Sequence, residues 1–205
     1  MRQGAPEGGP SLCEVPELAD GELALHAADG RHARGLGALM RDVEVQVLTG
    51  SVSSTAEAEA LARGEAEPDL SPAQLRAVYD RWAGAEDRAV WAIEVDGAVV
   101  GEVLLLDLDA ENRACGMRLW LARERDRGIG TRALRLVLDH AFGTVGLHRV
   151  GLEVYAHNPR AVHVYRKLGF VLEGTLREAL LLDGRWVDCH VMGLLHHEWA
   201  TARRA

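Results

Sequence analysis

The sequence lacks the features that mark several large classes of protein. Its 205 residues include only three cysteines, Cys13, Cys115 and Cys189, which are widely spaced and form no metal-binding pair. We therefore expect a reducing, cytoplasmic setting with neither a disulfide framework nor a metal site. No apolar run approaches the roughly 18 residues that a membrane span requires, and the N-terminal stretch lacks the apolar segment of a signal peptide. The sequence thus predicts no membrane partner.

An excess of basic side chains is also missing. Lysine and arginine number 23 against 31 aspartates and glutamates, which gives a formal net charge of −8. A protein that binds a phosphate backbone needs a basic surface, so we expect no nucleic-acid partner. An acidic surface attracts cations such as amines over long distances, although a charge balance of this size also serves solubility alone.

What is present is a series of β-rich and helical patterns long enough for one domain. Hydrophobic residues make up 48% of the chain, which allows one sizeable core. Residues 1–21 are rich in Gly, Pro and Glu, and this composition predicts a flexible leader. We expect a single domain over residues 22–199 and a short tail at 200–205.

The patterns within that domain predict the α/β (α+β) class with a mixed sheet. Asp96-Gly97 and Asp183-Gly184 each separate two β-rich runs and indicate hairpins. Residues 55–67 and 71–84 have helical patterns, and the second begins with Ser-Pro, which is typical of a helix start. Further strands and helices alternate up to residue 195.

The most informative stretch is a glycine-containing loop between a β-rich run and an amphipathic helix. Its candidate binding residues are Arg125, Arg127, Gly128, Ile129, Gly130 and Thr131. The first N–H groups of a helix lack partners, and the helix dipole favours an anion at that end. The two glycines let the backbone approach a phosphate, and the arginines and the threonine add positive charge and a donor. The loop suits a pyrophosphate, but the same pattern also fits an ordinary turn, and it is neither a P-loop nor a dinucleotide fingerprint.

A second candidate segment runs from Asn158 to Gly169. Asn158 is typical of a helix N-cap, Pro159 suits the first helical position, and Gly169 suits the end. Tyr165 follows Asn158 by about two helical turns, so both lie along one side of the helix. Tyr165 is either a packed core residue or a phenol that hands a proton to a leaving group.

Taken together, the two segments resemble a known family. R-x-x-G-x-G at 125–130 and N-P-R-A-x-x-x-Y-x-K-L-G-F at 158–170 are similar to the cofactor motifs of the GCN5-related N-acetyltransferase (GNAT) superfamily. The ending LREALLLDGRWVDCHVMGLL and the strand start GLHRV resemble its RimJ/RimL branch. The resemblance implies a mostly antiparallel central sheet of about seven strands, flanked by helices and splayed between the fourth and fifth strands.

The resemblance also implies a cofactor and a reaction. Acetyl-CoA is the expected acyl donor, and its acetyl group would pass by direct attack to a primary amine, on a protein N-terminus or a small cationic molecule. The glycine loop would hold the pyrophosphate of CoA, and the backbone of Trp120 and Leu121 would pair with the pantetheine arm. Asn158 is the expected side-chain contact to the cofactor, and Tyr165 the expected general acid. Members of this branch are often dimers, which makes a homodimer one expectation.

One departure from the family pattern leaves the general base open. Some members use a glutamate on the third strand, where this chain has Ala114-Cys115-Gly116-Met117. Glu102 interrupts an otherwise apolar strand, and Asp188 and His190 share one face of a later strand, so each is a candidate base. His190 has the near-neutral intrinsic pKa that suits a base.

Several alternatives stay open at this stage. The acceptor can be a polyamine, an antibiotic or another small molecule, and the donor can be a larger acyl-CoA such as succinyl-CoA, because the loop reads only the shared pyrophosphate. The missing strand carboxylate favours a third alternative, a CoA-binding module without catalytic activity. A Rossmann-type dehydrogenase is disfavoured because the dinucleotide fingerprint is absent.

Overall fold

A computed structural model describes residues 9–125 and 127–203, and there eight strands form one sheet in the order β1-β2-β3-β4-β5-β6-β8-β7. The strands are β1 Leu18–Asp20, β2 Leu23–Ala27, β3 Ala89–Val95, β4 Ala98–Asp109, β5 Ala114–Leu121, β6 Arg149–Tyr155, β7 Val171–Leu182 and β8 Arg185–Leu195. The α-helices are α1 Ala33–Leu39, α2 Val43–Thr49, α3 Thr55–Arg63, α4 Pro72–Trp82, α5 Ile129–Asp139, α6 Pro159–Lys167 and α7 His196–Ala202, and a π-helical segment, His140–Thr144, continues α5. In this part of the chain, no helix combines the length and apolar character needed to cross a membrane.

The sheet is antiparallel except between β5 and β6, where it opens. These two strands pair in parallel only over Ala114–Gly116 and Arg149–Gly151. β5 runs on to Leu121 and β6 to Tyr155 beyond the end of that pairing. The structure confirms the predicted mixed sheet and its splay between the fourth and fifth predicted strands, which are β5 and β6 here. The sheet has eight strands instead of the predicted seven, because β1 was not predicted.

Both faces of the sheet are covered by helices that bury apolar stripes. The fully or almost fully buried residues of α5 include Ile129, Ala133, Leu134, Val137 and Leu138, and they pack with β-strand residues in the larger of the core clusters. Each large aliphatic side chain buried in this way contributes roughly 1.5–3 kcal/mol. On the opposite face, α1 and α4 pack against β3 and β4 through a separate apolar cluster. The two faces therefore carry different helices, and the opening between β5 and β6 connects them.

Local capping explains both a predicted helix and one that the sequence did not reveal. At the start of α4, Ser71 and Gln74 form the reciprocal bonds of a capping box. In α2, the Asp42 carboxylate accepts a hydrogen bond from the amide of Val45 at 3.0 Å, and Gly50 ends the helix at φ +68°. The alternating sequence V-E-V-Q-V of α2 has the period of a strand, but the capping residues at both ends favour the helix.

The structure differs from the predicted leader and tail. Leu12 is fully buried, and the Trp91 indole donates a hydrogen bond to the carbonyl of Pro16 at 2.8 Å, while β1 pairs with β2. The described residues before 22 are therefore part of the folded domain, because their apolar side chains find a place in its core; residues 1–8 lie outside the described residues. At the other end α7 continues to Ala202, and residues 204–205 also lie outside the described residues.

Candidate active site

A cavity of about 500 Å³ lies where β5 and β6 separate. Its lining includes Glu102, Trp120, Leu121, Arg125, Gly128, Ile129, Gly130, Thr131, Asn158 and Tyr165, all of which the sequence identified as candidates. Residues from α2 and β6 also contribute to the wall. The opening in the sheet thus brings together segments that are far apart in the sequence.

The start of α5 presents its backbone to this cavity. Gly128 is the N-cap residue of α5 and has φ +76°, a conformation that favours glycine. A Cβ atom at Gly128 would meet no heavy atom within 4 Å, so the space in front of the helix is open. At Gly130 a Cβ atom would lie 3.4 Å from Leu121 Cδ1, which is ordinary contact. Unsatisfied N–H groups and the positive end of the helix dipole make this wall suitable for a phosphate group.

The two arginines of the loop are already engaged with carboxylates. Arg125 Nε donates to the carbonyl of Leu121 at 2.9 Å, and its two Nη atoms lie 2.6 Å from Asp42 Oδ1 and 3.0 Å from Glu44 Oε2. Arg125 therefore fastens the end of β5 to α2, and it is mostly buried. Arg127 forms an ion pair with Glu124 and is not part of the cavity lining. The predicted positive charge is thus offset on the protein itself, and backbone amides remain as the donors.

Helix α6 supplies the other two predicted residues of the site. Asn158 Oδ1 accepts a hydrogen bond from the amide of Ala161 at 3.0 Å, as the N-cap prediction requires. Tyr165 is buried, with its ring against Phe170, and burial raises the pKa of its phenol to about 12. Within the described residues no group forms a hydrogen bond with the Tyr165 hydroxyl, which borders the cavity. This hydroxyl therefore holds its proton at neutral pH and is available as a donor.

Glu102 is a buried carboxylate held by two side chains. A Cβ atom at the preceding residue, Gly101, would lie 2.2 Å from the carbonyl oxygen of Trp120, so only glycine allows β4 and β5 to approach there. Glu102 itself is 5% exposed. Its Oε2 accepts a hydrogen bond from the Tyr79 hydroxyl, and its Oε1 accepts one from Trp120 Nε1 at 3.3 Å. Burial raises the pKa of Glu102, and the two hydrogen bonds act in the opposite direction.

His190 does not reach the cavity. Its Nδ1 lies 3.1 Å from Thr175 Oγ1, and the neighbouring Cys189 is the residue that lines the cavity. Successive residues of a strand point to opposite faces, so His190 faces away from the site. Asp188 likewise accepts a hydrogen bond from the amide of Glu178 at 2.9 Å and is not in the lining. Of the candidate bases, the structure brings Glu102 alone to the cavity.

Cys115 behaves as a packed apolar residue. It is 6% exposed, and burial raises the pKa of its thiol to about 12, so it stays protonated. In the described ranges, no group of three or more His, Cys, Asp or Glu side chains is arranged to hold a metal ion.

The structure adds residues to the site that the sequence did not reveal. From α2, Glu44 contributes to the wall and pairs with Arg160 at 2.6 Å. From β6, Glu153 and Tyr155 line one side of the cavity. On β5, across the cavity from them, Arg118 also belongs to the lining and is exposed. For Glu153, the sequence offered one signal, a charged residue inside a β-rich run. For Glu44, it offered none, because nothing in the sequence predicts that α2 lies over the opening.

The comparisons with known proteins agree on one family. The family model described as acetyltransferase (GNAT) domain matches residues 23–171. The spermidine N(1)-acetyltransferase of Escherichia coli K12 is 28% identical over 139 residues, which is 67% of this chain and 75% of that protein. A putative ribosomal N-acetyltransferase, YdaF of Bacillus subtilis, is 33% identical over 105 residues, which is 51% of this chain and 57% of that protein.

A solved structure shares the architecture. The spermidine N-acetyltransferase from Vibrio cholerae, crystallised in complex with CoA and spermine, superposes with a TM-score of 0.74. The alignment covers 88% of this chain and 99% of that one at 23% sequence identity. At that identity the likeness shows a common fold, and it confirms the predicted arrangement of sheet and helices.

Proposed function

The chain belongs to the GNAT family of acetyltransferases, and from this premise we propose that it transfers the acetyl group of acetyl-CoA to a small cationic primary amine of the polyamine class. The observation that carries the proposal is the continuity of one cavity, which runs from the start of α5 past Tyr165 to Glu102. A phosphate-binding wall, a phenol and a carboxylate in one cavity are what transfer from a CoA thioester to an amine requires.

The donor half of the cavity fits coenzyme A. Backbone amides at Gly128 and Gly130 would hold the diphosphate, where open space and a helix N-terminus coincide. The exposed edge of β5 at Trp120 and Leu121, beyond the end of its pairing with β6, would receive the pantetheine arm. The side-chain NH₂ of Asn158 is left to bind the cofactor, because its oxygen caps α6. Bound acetyl-CoA supplies the acetyl group as a thioester.

In the acceptor half, Glu102 acts as the general base. A primary amine with a pKa near 10 is mostly protonated at neutral pH and must lose a proton before it can attack. A carboxylate whose pKa burial raises is better matched to this task than an exposed one. Glu102, on β4, takes over the part that a glutamate on the strand corresponding to β5 plays in some members of the family.

Tyr165 acts as the general acid. A departing thiolate with a pKa of about 8.5 gains from a nearby proton donor. The Tyr165 phenol, whose pKa burial raises to about 12, keeps its proton throughout the neutral range. Because this phenol is a weaker acid than a thiol of pKa about 8.5, it assists the departing sulfur by donating a hydrogen bond while negative charge develops there, and it yields its proton only where the buried site raises the basicity of the thiolate as well.

The lining favours a cationic acceptor. Of the four lining glutamates, Glu44 and Glu124 form ion pairs with arginines, which leaves the carboxylates of Glu102 and Glu153 for a cation, and the chain as a whole carries a net charge of −8. The spermidine acetyltransferases among its relatives support the polyamine class. The relative named as a putative ribosomal N-acetyltransferase, together with the RimJ/RimL-like ending, supports a protein N-terminus as the second candidate.

A panel assay tests the proposal. Thiol release from acetyl-CoA is measured with spermidine, with a short peptide bearing a free N-terminus and with an aminoglycoside, and the products are identified by mass. We expect the highest kcat/KM with spermidine, and acetyl-CoA to outperform succinyl-CoA. A preference for the peptide would move the acceptor to the second candidate, and CoA binding without thiol release for any amine would reduce the protein to a binding module.

A further inference from the structure

We propose that Tyr79 is a positioning residue for this reaction: its hydroxyl holds the Glu102 carboxylate in the orientation that faces the acceptor amine. The proposal rests on the function assigned to Glu102 above. Tyr79 belongs to α4, which is separated from β4 in the chain by a loop and the whole of β3, and nothing in the sequence pattern links it to the site. Its apolar spacing with Leu75 and Trp82 predicts burial on a helix face, and no more.

The contact is fixed from the helix side. Tyr79 is 2% exposed, and its ring meets the Trp82 ring edge to face, with the centroids 5.6 Å apart. Arg88 in turn lies over the other ring of this pair, 5.4 Å from the Trp82 centroid. A phenol packed in this way has one direction for its hydroxyl, and that direction ends at Glu102 Oε2.

A second hydrogen-bond donor, on the sheet, holds the other oxygen of the Glu102 carboxylate. Trp120 Nε1 lies 3.3 Å from Glu102 Oε1, so each carboxylate oxygen accepts one hydrogen bond from a different element. An ionised carboxylate has about four acceptor positions, so two donors leave room for an ammonium group. Trp120 also belongs to the end of β5 that is proposed to receive pantetheine. Its hydrogen bond therefore connects Glu102 to the donor half of the cavity.

The direction of the Tyr79 hydrogen bond follows from its surroundings. Burial and the nearby Glu102 charge both raise the pKa of Tyr79, so the proton stays on the phenol and the phenol donates. The other elements beside Glu102 bring Ala92 from β3 and Trp120 from β5, neither of which titrates. The other charged groups in the cavity lining are Glu44 on α2, Arg118 on β5, Glu124 and Arg125 in the loop that follows β5, Glu153 on β6 and Arg160 on α6. The Tyr79 hydroxyl is therefore the titratable group whose loss acts on Glu102 directly.

The test is Tyr79→Phe, which keeps the ring and removes the donor. We expect kcat with the amine acceptor to fall about tenfold or more at neutral pH, because a hydrogen bond to a charged group is lost. The acid limb of the kcat/KM profile should move upward by about one pH unit, since burial of Glu102 is then opposed by one donor fewer. KM for acetyl-CoA should stay within about twofold of its original value, because α4 does not contribute to the phosphate wall.

A matched control separates positioning from stability. Trp199→Phe removes another hydrogen bond from a buried ring to a carboxylate, the 3.0 Å bond from Trp199 Nε1 to Asp139, outside the cavity lining. This variant should change the melting temperature but leave the pH profile in place. An equal shift of the acid limb in both variants would overturn the assignment of Tyr79.

The Glu102→Gln variant distinguishes failure of the inference from failure of the proposed function. Full activity of Glu102→Gln would remove Glu102 as the base, and the role of Tyr79 with it. Loss of activity there, combined with an unchanged pH profile in Tyr79→Phe, would overturn the positioning role alone.

The double variant keeps the inference testable if Tyr79→Phe folds poorly, because it also removes the buried charge that lost its donor. Tyr79→Phe should have no further effect in the Glu102→Gln background, since Tyr79 acts through Glu102. A further fall in activity there would show an independent role for Tyr79 and contradict the inference.

Discussion

Asp183, in the turn between β7 and β8, binds the first residue of α3 with both of its carboxylate oxygens. Oδ1 accepts a hydrogen bond from the amide of Thr55 at 2.8 Å, and Oδ2 accepts one from its hydroxyl at 2.6 Å. The amide of Asp183 donates to the carbonyl of Ser53 at 3.0 Å. A hairpin near the end of the chain therefore fastens the segment that follows α2, and α2 lines the cavity.

Weakening this contact should loosen the segment around α3. Asp183 has φ +49°, which asparagine tolerates well, so Asp183→Asn keeps the turn but loses one acceptor and the charge. We expect faster amide hydrogen exchange at residues 53–57 and a higher KM for the acceptor. Asp109→Asn is the control, because Asp109 caps only its own loop through the amide of Asn112 at 2.9 Å. Equal exchange at residues 53–57 in the two variants would show that Asp183 does not anchor α3.

Replacement of Gly130 by alanine should separate cofactor binding from stability. The added methyl group finds ordinary contact with Leu121, and Gly130 is helical, so the unfolding free energy should stay the same or rise by up to about 1 kcal/mol. The methyl group would project toward Leu119 and Leu121 at the cavity wall and narrow the space beside the start of α5, and we expect CoA affinity to fall about tenfold, or about 1.4 kcal/mol, by calorimetry.

The matched control is Gly35→Ala in α1. Gly35 is exposed and helical, and a Cβ atom there meets no atom within 4 Å. This variant should gain similar helix stability with unchanged CoA affinity. If Gly130→Ala also binds CoA normally, the phosphate group does not lie against the start of α5.

Tyr165→Phe should slow turnover without weakening the cofactor complex. The phenyl ring keeps its packing against Phe170, with centroids 5.8 Å apart, and only the proton donor is lost. General acid catalysis is commonly worth 10²-fold or more, and we expect a fall in kcat of about that size with CoA affinity unchanged. Stopped-flow measurement of thiol release provides the rate. Undiminished kcat in this variant would leave Tyr165 as a core residue only.

His140 should make the fold sensitive to acid. It is 7% exposed, its Nε2 has no hydrogen-bond partner in the described structure, and burial lowers its pKa. The folded state therefore takes up the proton at a lower pH than the unfolded state, whose pKa is near 6.5. The stability contributed by neutral His140 is complete above about pH 6.5 and is lost as the pH falls toward the lowered value, by at most about 1.4 kcal/mol per pH unit.

His140→Phe tests this dependence. The new ring can pack against Trp91, which meets His140 edge to face at 5.8 Å, and it does not titrate. Urea unfolding at several pH values should give a shallower decline for the variant as the pH is lowered below about 6.5. Parallel curves for the two proteins would assign the acid sensitivity to other groups.

The sequence was most informative where function and local structure depend on the same residues. The glycine loop, the capped helix from Asn158 and the two Asp-Gly turns all use residues with restricted backbone preferences, and all were found in the structure. The opening of the sheet followed from the family resemblance and is also confirmed. Local chemistry and motif order were sufficient for these features because each depends on neighbours in the chain.

Other features followed from contacts between distant segments. In the sequence, Arg125 was a candidate phosphate ligand. In the structure, its ion pairs with Asp42 and Glu44 link the end of β5 to α2. His190 was a candidate base by residue type, but the register of β8 turns its side chain away from the cavity. A sequence pattern fixes neither the partner of a charged group nor the face that a strand residue presents when both faces are mixed.

The amino-acid sequence by itself determined the family and the sheet with its helices, and it located the glycine loop and Tyr165, whose roles in anion binding and proton donation stay predictions. Only the tertiary structure decided that Glu102, among the candidate bases, stands in the cavity and that Tyr79 and Trp120 hold it there. The physical reason is that a buried carboxylate is stable only with donors around it, and those donors come from whichever elements the fold brings together.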